Sequence, residues 1–209
     1  MAVNLQKGEK LNLAKSTSSL SKITIGLGWD VAPRKLGFFQ RLMGGGQEEF
    51  DLDAVAFLLG PNGKVNNLGD RSTLKGSDVV FFNHMAHPSG KIWLTGDNRT
   101  GAGEGDDEQI VVNLAEMPAQ YEKIVIAVFI YQGRQKGQTF TGIQNAFVRA
   151  VDAQNVELAR FSLGASPETE NKCSLLFAEI VRNGSEWDFQ AVGQAFSSDN
   201  IIDLLQRYL

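Results

Sequence analysis

The chain's apolar residues arrive in short runs separated by turn signals, with almost no helix-length segment between them. Ile23, Ile25, Leu27 and Trp29 alternate with small or polar residues and end at Asp30, the period of two that marks a half-buried strand. Val55–Leu59 follows Phe50-Asp-Leu-Asp53 and stops at Gly60-Pro-Asn-Gly63, so two strands present carboxylates at one end. Val79–Phe82, Lys91–Thr95, Gln109–Leu114, Lys123–Tyr131, Ala146–Asp152, Glu157–Leu163, Leu175–Arg182 and Glu186–Val192 continue the series. Lys123–Tyr131 is the most apolar and is expected to be central. Asn183-Gly184 between the last two runs is a hairpin signal, with a loop of two to four residues. Strands at this spacing without intervening helices predict an all-β fold, an antiparallel β-sandwich, and argue against a βαβ architecture.

Two segments break the rhythm. Ser198–Leu209 offers a capping residue and then places Ile201, Ile202, Leu204, Leu205 and Tyr208 on one helical face, which predicts a short C-terminal helix packed on the sandwich. Residues 31–49 hold a basic and apolar stretch, Arg34–Met43, running into Gly44-Gly-Gly46. Read as a helix, that stretch separates Arg34, Gln40 and Arg41 from Leu36, Phe38, Phe39, Leu42 and Met43. Such a helix suits an anionic lipid surface, a partner, or its own sandwich.

At 209 residues, 43% hydrophobic and 21% charged, the chain has the composition of a globular domain able to bury a core without staples. A net charge of −4 without a dense basic stripe argues against a nucleic-acid partner. The single cysteine, Cys173, excludes an internal disulfide framework, and its apolar surroundings predict a buried, inert thiol. No run reaches the roughly 18 apolar residues of a membrane span, and the first residues lack the apolar centre of a signal peptide. A cytoplasmic location is the expectation.

Chemistry concentrates in Thr95-Gly-Asp-Asn-Arg-Thr-Gly-Ala-Gly-Glu-Gly-Asp-Asp-Glu108. Five carboxylates, one Asn and one Arg lie between Asp97 and Glu108, separated by Gly101, Gly103 and Gly105. Glycine allows the backbone to fold back until side-chain and main-chain oxygens converge. The repulsion of such a cluster is relieved by a hard cation, and Ca²⁺, with its six to eight oxygen ligands in flexible geometry, suits it better than Mg²⁺. The composition is equally that of a solvated acidic loop. Neither the EF-hand spacing nor a repeated calcium-binding turn is present. His84 and His87 are poorly spaced as paired ligands. Asp51-Leu-Asp53 matches the DxD motif of sugar-nucleotide transferases, but a sandwich lacks the nucleotide-binding turn that motif needs. No Gly-x-Ser-x-Gly or phosphate-binding loop is found, so the chain is expected not to be an enzyme.

Gly28-Trp-Asp30, Asp51-Leu-Asp53, the acidic motif, Phe147-Val-Arg-x-Val-Asp152 and Val192-Gly-Gln194 resemble the signatures of the TerD family, bacterial tellurite-resistance and stress proteins. The likeness spans nearly all of residues 1–209 as a single TerD-like domain, with 31–49 as an insertion. It implies a cytoplasmic calcium-binding β-sandwich with no accepted catalytic activity. Carried over by position, Asp30, Asp51, Asp53, Asp97, Asn98, Glu104, Asp106, Asp107 and Glu108 are the candidates around one or two Ca²⁺ ions. Ala102 stands where the family often has an acidic residue, and Ala54 where a Ser is common. The function so implied is a binding module ordered by Ca²⁺ for protein partners of a resistance complex, at the membrane surface or away from it. The competing class is a metal-dependent enzyme acting on a phosphorylated or oxyanion substrate.

Overall fold

The structure, a computed structural model, describes residues 2–15, 21–31, 50–97, 106–163 and 167–209. Of the inserted segment only Val31 falls within those residues, so the expected helix over Arg34–Met43 lies outside them. The strands are β1 (Val3–Asn4), β2 (Lys10–Asn12), β3 (Ile23–Val31), β4 (Leu52–Leu59), β5 (Val79–Val80) and β6 (Ile92–Asp97), followed by β7 (Glu108–Val112), β8 (Lys123–Ile130), β9 (Ile143–Asp152), β10 (Glu157–Leu163), β11 (Ser174–Asn183) and β12 (Glu186–Phe196). Among the described residues they form two six-stranded sheets, ordered β1-β10-β9-β3-β7-β6 and β2-β12-β11-β8-β4-β5. Each of these pairings between described strands is antiparallel except β1 with β10. The fold is the all-β sandwich the strand rhythm predicts.

Alternation builds the core. Ile23, Ile25, Leu27 and Trp29 of β3 meet Leu52, Ala54, Ala56 and Leu58 of β4 and Ile124, Ile126, Val128 and Ile130 of β8 in one buried cluster between the sheets. The other face of β4 and β8, with Val55, Phe57, Leu59, Val125, Ala127 and Phe129, is covered in turn by Leu204 and Leu205. A strand buried on both faces loses its polar alternation. That explains the uninterrupted apolar run at β8, which lies inside its sheet between β11 and β4.

One local expectation needs correction, and two details add to the rest. The terminal helix is shorter than its pattern: a helical turn at Ile201–Leu205 passes into a 3-10 turn at Gln206–Tyr208. Its cap is Asn200, whose side chain accepts a 2.8 Å hydrogen bond from the Ile202 N–H, and Ile202, 39% exposed, is not on the packed face. In the β11–β12 hairpin Asn183 pairs with Glu186, leaving Gly184-Ser185 as the two-residue loop. Gly184 adopts φ 63°, the positive value a tight primed hairpin turn needs at its first central position. Finally, β1 and β2 were not visible in the polar opening of the chain, because an edge strand of two or three residues carries no periodic signal.

Candidate metal centre

The acidic segment leaves the first sheet at the end of β6 and returns at the start of β7, and two ladders of that sheet are irregular there. The β6–β7 register shifts between Thr95 and Asp97, and the β3–β9 register shifts between Gly28 and Asp30. Bulges of this kind re-aim side chains at the rim of a sheet. Asp107 fastens the segment to β3 twice: its N–H donates to the Leu27 carbonyl at 2.8 Å, and its Oδ2 accepts from the Trp29 N–H at 2.9 Å. The carboxylate thus continues the ladder one step past the end of β7. Glu108 pairs with Leu27 and, like it, points between the sheets, where its Oε2 accepts the Ala54 N–H of β4 at 2.5 Å. Asp107 is 8% and Glu108 2% exposed. Two adjacent carboxylates therefore tie β7 to one strand of each sheet.

Asp106 turns the other way, onto the outer face of the first sheet. Its side chain, 2% exposed, lies over Gly26, where an added Cβ would stand 2.1 Å from Oδ2. Arg149 Nε donates to Asp106 Oδ1 at 2.7 Å and Gln109 Nε2 donates to Oδ2 at 3.1 Å. The same guanidinium reaches Glu157 at 3.1 Å, and Arg160 bonds Glu157 while stacking 4.1 Å over the Phe147 ring. The base of the acidic segment is thus clamped by a charge network spanning β3, β7, β9 and β10. Arg149, Gln109 and Gly26 were not singled out as site residues from the sequence. The available signal was an arginine inside an alternating strand opposite glycines at every second position of its neighbour.

Arg160 holds the Glu157 carboxyl below its ordinary value of 4.5; burial opposes this and the Arg149 hydrogen bond assists. A carboxyl depressed in the folded state contributes stability that is present above its unfolded value and lost as pH falls through the folded one. Glu157→Gln is therefore expected to flatten the loss of stability below about pH 4.5, measured as urea midpoints across an acid series. A slope identical to that of the parent protein would contradict the clamp.

The other candidates divide. Asp30, exposed, accepts a 2.7 Å hydrogen bond from Asn145 Nδ2 beside the β3 bulge. Asp51 is half-buried just before β4, and its carbonyl accepts the Tyr131 N–H at 2.7 Å. Asp53 is buried, but alternation along β4 puts it with Val55 and Phe57 on the face away from Glu108. Asp97 ends β6, while Asn98 and Glu104 lie outside the described residues. Among the described residues no group of three or more His, Cys, Asp or Glu is arranged to hold an ion. Among the described residues the acidic donors at this end are carboxylate and carbonyl oxygens, which fit a hard cation such as Ca²⁺ and not a thiolate- or imidazole-seeking metal.

A family model described as the TerD domain matches residues 1–208. The chain belongs to the TerD family. It is 48% identical over 213 residues to a tellurium resistance protein, TerX, of Serratia marcescens, with the whole of both chains covered. It is 40% identical to the stress response protein SCP2 of Bacillus subtilis, again over the full length of both. In fold it is similar to the crystal structure of a TerD homologue from Streptomyces coelicolor, with a TM-score of 0.62 and 22% identity over 88% of this chain and 95% of that one. These relatives are named for resistance and stress response. Among the described residues of this TerD-family protein no helix is long and apolar enough to cross a membrane.

Proposed function

We propose that this TerD-family protein is a cytoplasmic, Ca²⁺-binding module of a bacterial stress and tellurite-resistance system, in which one or two ions order one end of the sandwich for a protein partner and that end is non-catalytic. The observation that carries the reading is the pair Asp107 and Glu108. Because they bond the backbones of β3 and β4, whatever orders the acidic segment also fixes the relation of the two sheets at that end. In this reading Asp97, Asn98, Glu104, Asp107 and Glu108 supply the ion's oxygens, with Asp30 and Asp51 at the neighbouring strand ends; Asp53, on the face of β4 away from Glu108, stands apart from them. Asp106 serves as the anchor that sets where the segment leaves the sheet. The names of the relatives support the stress and resistance setting.

The metal-dependent enzyme is less well supported. It would need an open coordination position beside a general base. Both histidines stand elsewhere, in the β5–β6 connection, where Val79 and Asp78 hold them. Tellurite reduction by the chain itself would need an accessible thiolate. Cys173 is buried, 3.4 Å from the Gln138 carbonyl, and desolvation, with the nearby Asp199 adding to it, pushes its thiol pKa upward.

Calorimetry on chelator-stripped protein tests the reading. Binding in the micromolar range or tighter, persisting in excess Mg²⁺, is expected. Asp107→Asn is expected to weaken it at least about tenfold, a loss of one charged ligand worth about 1.4 kcal/mol. No heat at millimolar Ca²⁺ would dispose of it, and affinity capture from extract that is indifferent to Ca²⁺ would dispose of the ordering role.

A further inference from the structure

At the other end of β6 from the acidic segment, the β5–β6 connection builds a second polar centre that the calcium reading does not use. Asp78, His87 and Tyr121 are all buried there. His87 Nε2 lies 3.2 Å from Asp78 Oδ1, and the Tyr121 hydroxyl donates to the same oxygen at 2.8 Å. Asp78 Oδ2 accepts the Asn67 N–H at 3.0 Å. On the far side of the ring, His87 Nδ1 lies 2.8 Å from Ser89 Oγ and also accepts the Ser89 N–H at 3.1 Å. That amide can only donate, so Nδ1 is the unprotonated nitrogen and Nε2–H points at Asp78. The remaining donor toward Nδ1 is the Ser89 hydroxyl proton.

A carboxylate thus sets the tautomer of an imidazole whose basic nitrogen faces a serine hydroxyl, the relation of orienter, base and nucleophile that defines activated serines by geometry and not by sequence position. The three residues line one pocket of about 350 Å³, at the small end of ligand cavities. Ser89 is half-buried, and Pro88, Pro118 and Gln120 line the pocket beside it. Among the described residues no lysine or arginine lines it, so a phosphorylated or other anionic substrate has no partner there. Arg182 stiffens the wall through hydrogen bonds to the carbonyls of Met117, Pro118 and Tyr121. Burial raises Asp78, the largest single influence, but hydrogen bonds from His87, Tyr121 and the Asn67 amide outweigh it and keep the carboxyl below its ordinary value. The charge that would stabilise an imidazolium is therefore present at neutral pH.

We propose that Ser89 is an activated nucleophile that takes the acyl group of small uncharged esters, with His87 as its base and Asp78 as the residue that positions the imidazole. Oγ attacks the ester carbonyl carbon as its proton moves to His87 Nδ1; the new Oγ–C bond replaces the bond to the departing alkoxide, which leaves with that proton. Water then hydrolyses the acyl-serine. The backbone amides around Ser89 are already engaged, since Gly90 N–H donates to the His87 carbonyl and Lys91 N–H to Ser89 Oγ. One missing oxyanion donor slows acyl transfer about 10²–10³-fold, so acylation is the observable and rapid turnover is not.

The probes are p-nitrophenyl acetate and a fluorophosphonate, applied to the full chain and read by intact mass and peptide mapping. A single adduct on Ser89 is expected, forming about a hundredfold faster than on any other serine, the low end of what a positioned base contributes. The adduct should vanish in Ser89→Ala and form about a hundredfold more slowly in folded His87→Gln. Labelling of Ser89 no faster than the other serines of the parent protein overturns the proposal even if His87→Gln fails to fold. An unchanged rate in His87→Gln also overturns it. Neither probe requires Ca²⁺, so the result stands apart from the fate of the metal reading.

Discussion

Chelator-stripped protein is expected to melt roughly 5–10 °C below the same protein at a hundredfold excess of Ca²⁺ over its dissociation constant. A ligand that binds only the folded chain stabilises it by about 2.7 kcal/mol at that excess. For a chain of this size each kcal/mol moves the midpoint by roughly 2–4 °C. The premise is that the carboxylates converge only on folding. Asp107 and Glu108 are adjacent in sequence, but the strand ends they bond, at Trp29 and Ala54, lie 78 and 54 residues away. An unfolded chain cannot hold those groups together. Mg²⁺ at the same concentration should give a smaller shift, because it demands near-octahedral geometry and sheds its water reluctantly. Coincident melting curves in Ca²⁺ and in chelator would reduce the segment to a solvated acidic loop.

Arg149→Met is expected to lose about 3 kcal/mol of stability, read as a shift in urea midpoint without a change in slope. The Asp106 carboxylate it leaves behind is 2% exposed and packed on Gly26, where solvent cannot replace the guanidinium. Removing one partner of a buried pair costs roughly 3–5 kcal/mol, and the low end applies because Arg149 itself is 26% exposed. Adding Asp106→Asn to Arg149→Met should recover part of the loss, since the stranded charge is gone, and the double-mutant cycle gives the coupling. The cycle also separates anchor from ligand. If Asp106 only anchors the segment, Arg149→Met and Asp106→Asn should weaken Ca²⁺ binding by similar factors. If Asp106 coordinates the ion directly, its own substitution should be far more damaging. Additive effects on stability would mean that the two side chains are not coupled at all.

Much of the architecture was legible in the order of residues. Alternation at Ile23, Ile25, Leu27 and Trp29 records a strand with one face in the core, and the unbroken run from Lys123 to Ile130 records one buried on both sides. Periodicity is a local property, so it survives in a one-dimensional string. The family resemblance likewise rested on contiguous motifs, and the match over residues 1–208 bears it out. What the string did not contain was direction. Asp106, Asp107 and Glu108 are three neighbouring acids with no sequence feature to tell them apart. Folding sends the first to Arg149 on the outer face, the second to the backbone of β3, and the third between the sheets to β4. Asp53 and Ala54 are split in the same way by the pleat of β4. The pairing of His87 with Asp78 and Tyr121 was equally invisible, because it joins a loop to groups 9 and 34 residues away. Sequence determined which chemistry the chain carries and on which kinds of element; only the tertiary structure decided which oxygens and nitrogens face one another, since that depends on strand register and sheet order, which no local pattern encodes.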